Sequence, residues 1–121
     1  MKKNILIIED DEFFRELISK KLISSGFKIT EAIDGKTGLL RVKESKPDLI
    51  LLDILLPGID GFEVLSTLKE DSGTLSIPVI ILSNLSSKED VDKGLKLGAS
   101  DFLIKSQVDS EEVITKIKNF L

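Results

Sequence analysis

The 121-residue chain contains no cysteine, histidine, tyrosine or tryptophan. Without cysteine, the chain has no disulfide, no thiolate zinc site and no cysteine nucleophile. Without histidine, it lacks the usual general base, the usual imidazole metal ligand and the Ser-His-Asp triad. Any chemistry in this chain must therefore run on carboxylates, hydroxyls, lysine and a bound metal.

An excess of positive charge and long apolar runs are missing as well. The net charge is −4, so neither nucleic acid nor an anionic membrane attracts the chain in general. The longest apolar runs, such as Leu49–Leu52 and Val79–Leu82, are far too short to span a bilayer. The N-terminus, MKKNILIIEDD, turns acidic after its apolar run and is not typical of a signal peptide. We therefore expect a cytoplasmic protein with no membrane partner and no direct nucleic-acid partner.

Five short apolar runs of strand length recur along the chain, and segments with helical spacing separate them. Three of the runs are continuously apolar, as strands covered on both faces tend to be. The alternation predicts five strand-helix repeats, which form a parallel sheet with helices on both faces and right-handed crossovers. We expect one α/β domain over residues 1–121. The runs are Ile5–Ile8, Lys28–Ala32, Leu49–Leu52, Val79–Leu82 and Phe102–Ile104.

Polar side chains follow four of these runs: Glu9–Glu12 the first, Asp53 the third, Ser83 the fourth and Lys105 the fifth. In an open parallel sheet, function collects beyond the carboxyl ends of the strands. Several carboxylates at one edge repel one another, and Mg²⁺ with its preference for oxygen ligands relieves that repulsion. One carboxylate then stays free as a nucleophile toward a phosphoryl group, whose oxygens metal and lysine neutralise.

Four segments carry a specific likeness that covers essentially the whole chain: ILIIEDDEFFRELI, PDLILLDILLPGIDGFEVL, IPVIILSN and LGASDFLIKS. In these segments the sequence resembles the receiver domain of bacterial two-component response regulators. The resemblance implies a flavodoxin-like (βα)5 fold, a three-layer sandwich whose five-stranded parallel sheet has the order 2-1-3-4-5. It also implies a single receiver domain over residues 1–121.

The resemblance assigns chemical roles to the residues after the strands. Asp53 is implied as the phospho-acceptor and Lys105 as the phosphate-binding lysine. Asp10, Asp53 and the backbone carbonyl of Leu55 are implied as ligands of Mg²⁺, and Glu9 as a ligand through water. The implied chemistry is a Mg²⁺-dependent phosphoryl transfer to Asp53.

The resemblance also implies a signalling role. Ser83 would serve as a catalytic hydroxyl and as the switch hydroxyl, with Phe102 as the switch aromatic. A histidine kinase or a phosphotransfer protein would donate the phosphoryl group, and phosphorylation would alter the face of the fourth helix, fifth strand and fifth helix. The partner is a downstream output protein or an output domain outside this chain, and the resemblance is compatible with a homodimer on phosphorylation. The chain would catalyse only its own phosphorylation and dephosphorylation, so it is not expected to be an enzyme in the ordinary sense.

Three positions depart from the family's pattern. Ser106 follows the lysine where the family usually has proline, often after a cis bond. A cis bond before a non-proline residue costs about 2.5–4 kcal/mol, which favours a trans bond in a differently shaped loop and leaves the reach of Lys105 open. Asn84 stands where a small residue is common, and Phe102 lacks the hydroxyl of tyrosine-bearing relatives.

Some residues near the site have simpler explanations. Asp11 and Glu12 are best explained by the start of a helix, where negative charge complements the helix dipole. Phe102 is most simply a core residue.

Leu55 and Leu85 stand at positions that flank the path of the attacking water in receivers. Because leucine offers no donor or acceptor, they predict a slow loss of the phosphoryl group.

Three other functions fit parts of the pattern. A phosphatase with an aspartate nucleophile often carries an acidic residue two positions later, where this chain has Leu55. A flavin or nucleotide binder needs a hydroxyl- or glycine-rich loop after the first strand, where this chain has Glu9–Glu12. A receiver-like protein-interaction domain that does not need phosphorylation is the remaining alternative, which Ser106 and Asn84 leave open and Asp53 and Lys105 disfavour.

Overall fold

The computed structural model describes residues 2–121; Met1, the first residue of the predicted domain, lies outside the described residues. The five predicted strand-helix repeats are confirmed, and every strand lies within one residue of its predicted bounds. None of the helices in residues 2–121 has the length and hydropathy needed to cross a bilayer. The strands are β1 (Asn4–Ile8), β2 (Lys28–Ala32), β3 (Leu49–Leu52), β4 (Val79–Ser83) and β5 (Asp101–Ile104). The helices are α1 (Glu12–Ser24), α2 (Gly35–Ser45), α3 (Gly61–Glu70), α4 (Lys88–Lys96) and α5 (Ser110–Asn119), with a 3-10 turn at Lys105–Gln107.

The five strands form one parallel sheet in the order β2-β1-β3-β4-β5. β1 is an inner strand: Leu6 is in register with Thr30 of β2 on one side and with Ile50 of β3 on the other. The strand order reverses at β1, so the crevice beyond its carboxyl end is the place where such a sheet builds a site. The predicted flavodoxin-like (βα)5 sandwich is confirmed.

Helices cover both faces of the sheet, which explains why three strands are continuously apolar. Side chains alternate between faces along a strand. In β1, Leu6 and Ile8 belong to a core with α2 and α3, whereas Ile5 and Ile7 belong to a second core with α1 and α5. All four side chains are at most 2% exposed. The sheet is thus a rigid middle layer that fixes the residues following each strand.

Each long helix begins with a capping side chain close to the carboxyl edge of the sheet. The side chain accepts a hydrogen bond from a backbone N–H in the first turn, which satisfies a donor that the helix leaves free. The predicted helix-start role of Asp11 is confirmed, because its Oδ1 accepts from the Phe14 N–H at 3.1 Å. The five caps are Asp11, Asp34, Asp60, Ser87 and Asp109.

Candidate functional site

Asp53 is a buried carboxylate directly after β3, with 5% of its surface exposed. Its backbone N–H donates to the Ile8 carbonyl at 3.0 Å, which continues the pairing of β3 with β1. Its Oδ1 accepts from the Leu55 N–H at 3.2 Å, and its Oδ2 lies 3.0 Å from Lys105 Nζ. A buried charge is costly unless it is paired and hydrogen-bonded. Asp53 meets both conditions, and its pairing cation comes from the other end of the chain.

The loop after Asp53 folds back over it because two glycines permit the path. Gly58 has a positive φ of 74°, which L side chains rarely adopt. Gly61, the first residue of α3, donates its N–H to the Ile54 carbonyl at 2.9 Å. A Cβ at Gly61 would lie 2.6 Å from the Ile54 Cα, so only glycine fits without moving the backbone. The sequence PGIDG therefore fixes the loop that carries Leu55.

Glu9 follows β1 and is 3% exposed, and internal partners hold both of its carboxylate oxygens. Oε1 pairs with Lys105 Nζ, and Oε2 accepts from the Asp11 N–H at 3.1 Å. Burial raises the pKa of Glu9 to about 7, and the nearby Asp53 charge adds to the rise, while the hydrogen bond from Lys105 opposes it. Without a metal, this carboxylate is held at an electrostatic cost.

The acidic residues that the sequence singles out meet at one point. One carboxylate oxygen from each of Glu9, Asp10 and Asp53 lies within 4.8 Å of the others. Asp10 is exposed, whereas Glu9 and Asp53 are buried. Three carboxylates at this spacing are the oxygen donors that a hard divalent cation takes, so the residues fit the predicted metal. The Leu55 carbonyl as a further ligand stays a prediction.

Lys105 begins the 3-10 turn after β5 and reaches the middle of the site. Every peptide bond in residues 2–121 is trans, so the bond to Ser106 is trans. Burial lowers the pKa of Lys105, but the hydrogen bond to Glu9 and the charge of Asp53 outweigh burial and raise it. The missing proline thus does not keep the ammonium away from Asp53.

Ser83 and Phe102 lie in the sheet, in β4 and β5. Ser83 is the last residue of β4 and is fully buried, and its Oγ accepts from the Leu85 N–H at 3.4 Å. Phe102 is 8% exposed and packs in the core between the sheet and α3. A Cβ on Gly94 of α4 would lie 2.9 Å from the Phe102 ring. In this structure Phe102 is a core residue that touches α4, and the switch roles of both residues stay predictions.

Two residues of α1 contact the site without having been predicted. Phe14 lies with its ring centroid 4.4 Å from Lys105 Nζ. Arg15 Nη1 donates to the Glu9 carbonyl at 2.9 Å, and its Nε lies 3.6 Å from a Glu31 oxygen. The sequence offered one signal, because four-residue spacing places Phe14 on the same helix face as Ile18, which lies over the sheet. Periodicity alone indicates that this face of α1 packs against the core, and it does not predict the contacts with Lys105 and Glu9.

Comparison with known proteins agrees with this architecture. The response regulator receiver domain family matches residues 5–118. Response regulator PleD of Caulobacter vibrioides is 41% identical over 105 residues, which are 87% of this chain and 23% of PleD. The DNA-binding dual master transcriptional regulator RpaA of Synechocystis is 38% identical over 97% of this chain and 48% of RpaA. This chain therefore spans about half or less of these relatives.

Solved structures show the same fold. A putative response regulator from Chloroflexus aurantiacus superposes with a TM-score of 0.93 at 27% identity, covering 99% of this chain and 98% of that one. The Mn²⁺-bound form of response regulator Rcp1 superposes with a TM-score of 0.85 at 29% identity, covering 98% and 93%. The sheet order, the acidic group after β1 and β3, and the family match over residues 5–118 lead to one conclusion. This chain belongs to the family of response regulator receiver domains.

Proposed function

We propose that this chain is the phospho-accepting switch of a two-component phosphorelay, with Asp53 as the residue that takes the phosphoryl group. One observation carries the proposal. Asp53 is buried, lies 3.0 Å from the Lys105 ammonium and shares a carboxylate group with Glu9 and Asp10. A nucleophile beside a fixed cation and a metal-binding group is the arrangement that phosphoryl transfer needs.

In the proposed reaction, an Asp53 carboxylate oxygen attacks the phosphorus of a phosphohistidine on a histidine kinase or phosphotransfer protein. An O–P bond forms, the N–P bond breaks, and the imidazole leaves and takes up a proton from water. Lys105 neutralises charge on the phosphoryl oxygens, and it needs no reorganisation because it already lies beside Asp53. Asp10, Asp53 and the Leu55 carbonyl would hold Mg²⁺ directly and Glu9 would hold it through water, and the ion would supply further neutralisation of that charge.

The contacts of the carboxylates support different metal roles for Glu9 and Asp10. Both oxygens of Glu9 already have partners, Lys105 and the Asp11 N–H. Asp10 is exposed, so its carboxylate is open to a cation from solvent. This difference supports Asp10 as a direct ligand and Glu9 as a ligand through water.

The proposed output runs through Ser83 and Phe102 to the face of α4, β5 and α5. Because the Phe102 ring packs against Gly94, a change in ring position would act directly on α4. We propose a cytoplasmic switch that signals to a downstream protein or to an output domain outside this chain, with dimerisation as one mode of output. The greater length of PleD and RpaA supports an attached output domain.

The test is phosphorylation by a small donor. Acetyl phosphate with Mg²⁺ should add one phosphoryl group to the intact protein, as measured by mass spectrometry. Asp53→Asn, which keeps the shape of the side chain, should take up none. Normal uptake by that variant would refute Asp53 as the acceptor. A wild-type protein that takes up no phosphoryl group would favour the alternative, an interaction domain that does not need phosphorylation.

A further inference from the structure

The Lys105 ammonium is enclosed on three sides. Two sides are carboxylates: Asp53 at 3.0 Å and Glu9 as a direct ion pair. The third is the face of Phe14, with the ring centroid 4.4 Å from Nζ. An aromatic face attracts a cation within about 6 Å, and more strongly when the cation has lost its water. The Lys105 side chain is only 11% exposed, so its contact with Phe14 is of the desolvated kind.

Packing holds the Phe14 ring in this position. Its backbone N–H is fixed by the Asp11 cap at the start of α1. The ring also lines a cavity of about 10 Å³ together with Ile18, Glu9 and Asp53. That space is about the size of one water molecule, and the partly buried ring also packs against the core that lies under α1 and α5.

The backbone at Lys105 restricts the position of its side chain less than the packing around Phe14 restricts the ring. The residue begins a single 3-10 turn, Lys105–Gln107, which has no side-chain cap. A divalent cation bound by the acidic group would compete with Lys105 for the Glu9 carboxylate. The neutral ring of Phe14 has no such competitor, so its contact with Lys105 would persist when the site is loaded.

We propose that Phe14 is a positioning residue whose ring holds the Lys105 ammonium toward Asp53 and the incoming phosphoryl group. The proposal rests on the proposed function of Asp53 and Lys105. It adds a neutral aromatic contact from α1 to the charged side chains of Glu9, Asp53 and Lys105, which follow the strands. Phe14 itself touches neither the phosphoryl donor nor the metal in this role; it acts through Lys105.

The experiment measures the affinity for beryllofluoride, a phosphoryl mimic, in the presence of Mg²⁺. Phe14→Leu keeps an apolar side chain but removes the aromatic face, and affinity should fall about threefold to tenfold. Phe14→Tyr keeps the face and should stay within about twofold of wild type. Phe13→Leu is the matched control on the same helix, because Phe13 is 78% exposed, and it should also stay within about twofold. If Phe14→Leu does not fold, Phe14→Met takes its place, since methionine fills irregular gaps.

A double-mutant cycle with Lys105→Met separates a purely structural role of Phe14 from the proposed positioning role. In that background, Phe14→Leu should have no further effect on beryllofluoride affinity, and an equal loss in both backgrounds would overturn the proposal. In the wild type, the ring should shift the NMR signals of the Lys105 Cε protons, and Phe14→Leu should remove that shift. Unchanged affinity or unchanged Lys105 signals in Phe14→Leu would also overturn it. A wild type that does not bind beryllofluoride would instead refute the proposed function.

Discussion

Two partly buried lysines lie at opposite edges of the sheet and have opposite surroundings. Lys105 follows β5 at the carboxyl edge, where Asp53 and Glu9 pair with it. Lys69 lies in the last turn of α3 at the amino edge, and its Nζ donates to the backbone carbonyls of Leu75 at 2.9 Å and Ile77 at 2.8 Å. One ammonium faces carboxylates and the other faces only neutral acceptors.

The partners determine what each ammonium does. Burial lowers the pKa of Lys69, because its ammonium donates to neutral carbonyls that do not offset the loss of water. Lys105 is also buried, yet its carboxylate partners raise its pKa. Lys69 acts as a clamp that fixes the loop before β4, and its aliphatic stem packs beneath Gly98. Burial of a lysine therefore does not by itself indicate a functional site; the carboxylate partners of Lys105 do.

The largest expected difference between the two edges is in phosphorylation rate. Lys105→Met removes a preorganised cation, so transfer from acetyl phosphate should slow by about 100-fold or more. Lys69→Met should leave the rate within about twofold. It should instead lower the free energy of unfolding by roughly 2 kcal/mol, because two carbonyls lose a charged donor. Phosphorylation kinetics and urea unfolding measure the two effects.

The contrast between the edges would break down if Lys69→Met slowed phosphorylation as much as Lys105→Met does. It would also break down if Lys105→Met, properly folded, were phosphorylated at the wild-type rate. In either case the distance between Lys105 Nζ and Asp53 would not reflect a chemical role.

Metal binding should be confined to the carboxyl edge. Asp10→Asn removes one of three neighbouring like charges, so it should raise the melting temperature without metal. It should also remove most of the stabilisation by Mg²⁺, since a ligand that binds only the native state stabilises it by mass action. Thermal melts with and without Mg²⁺ measure both effects.

The control for this prediction lies at the amino edge. Asp71 is exposed and its Oδ1 accepts from the Gly73 N–H at 2.8 Å, a bond that asparagine also makes. Asp71→Asn should therefore keep the full Mg²⁺-induced shift. If Mg²⁺ raised the melting temperature of Asp10→Asn as much as that of Asp71→Asn, the metal would not bind at Asp10.

Most of the fold and the composition of the site could be predicted from the sequence. Apolar runs of strand length specify buried strands, and the carboxyl ends of parallel strands meet at one edge. Asp53 and Lys105 could thus be brought together although 52 residues separate them. The helix-start role of Asp11 was equally predictable, because a cap depends only on local sequence.

The finer contacts of the site could not be predicted, because they depend on how helices sit over the sheet. Periodicity places Phe14 on the buried face of α1 but does not give its distance to Lys105. The same holds for Arg15, whose bond to the Glu9 carbonyl depends on the position of α1. The 3-10 turn at Lys105–Gln107 also has no clear sequence signal, since Ser106 replaces the residue that would have indicated a loop shape.

A smaller effect is expected on the lifetime of the phosphorylated protein. Leu55, in the loop after Asp53, is 53% exposed, while Leu85 packs partly against the core. The larger share of the effect is therefore expected from Leu55. Leu55→Asn combined with Leu85→Glu should speed dephosphorylation about tenfold, because polar groups orient the attacking water and about 1.4 kcal/mol of barrier is removed. The control is Leu75→Asn at the amino edge, since Leu75 is also 53% exposed.

The decay of phosphorylated protein after removal of the donor measures this effect. Wild type and Leu75→Asn should decay slowly and at the same rate. Decay of the wild type within seconds, or an unaltered rate in the double variant, would show that both leucines only pack against neighbouring loops.

The smallest expected effect is the difference in pKa between the two lysines. Titrating them directly tests the comparison between Lys105 and Lys69 without any ligand. In metal-free protein, the Lys105 ammonium should lose its proton above the ordinary lysine pKa of 10.5, and Lys69 below it. The raised pKa of Lys105 means that its contribution to stability is fully present below 10.5 and is lost as pH rises through its folded-state value. The lowered pKa of Lys69 means that the folded chain releases that proton first, so its contribution rises with pH toward 10.5. NMR titration of the lysine Cε signals, assigned with the two methionine variants, measures both. If both lysines had pKa values on the same side of 10.5, the carboxylates around Lys105 would not explain the difference between the two lysines.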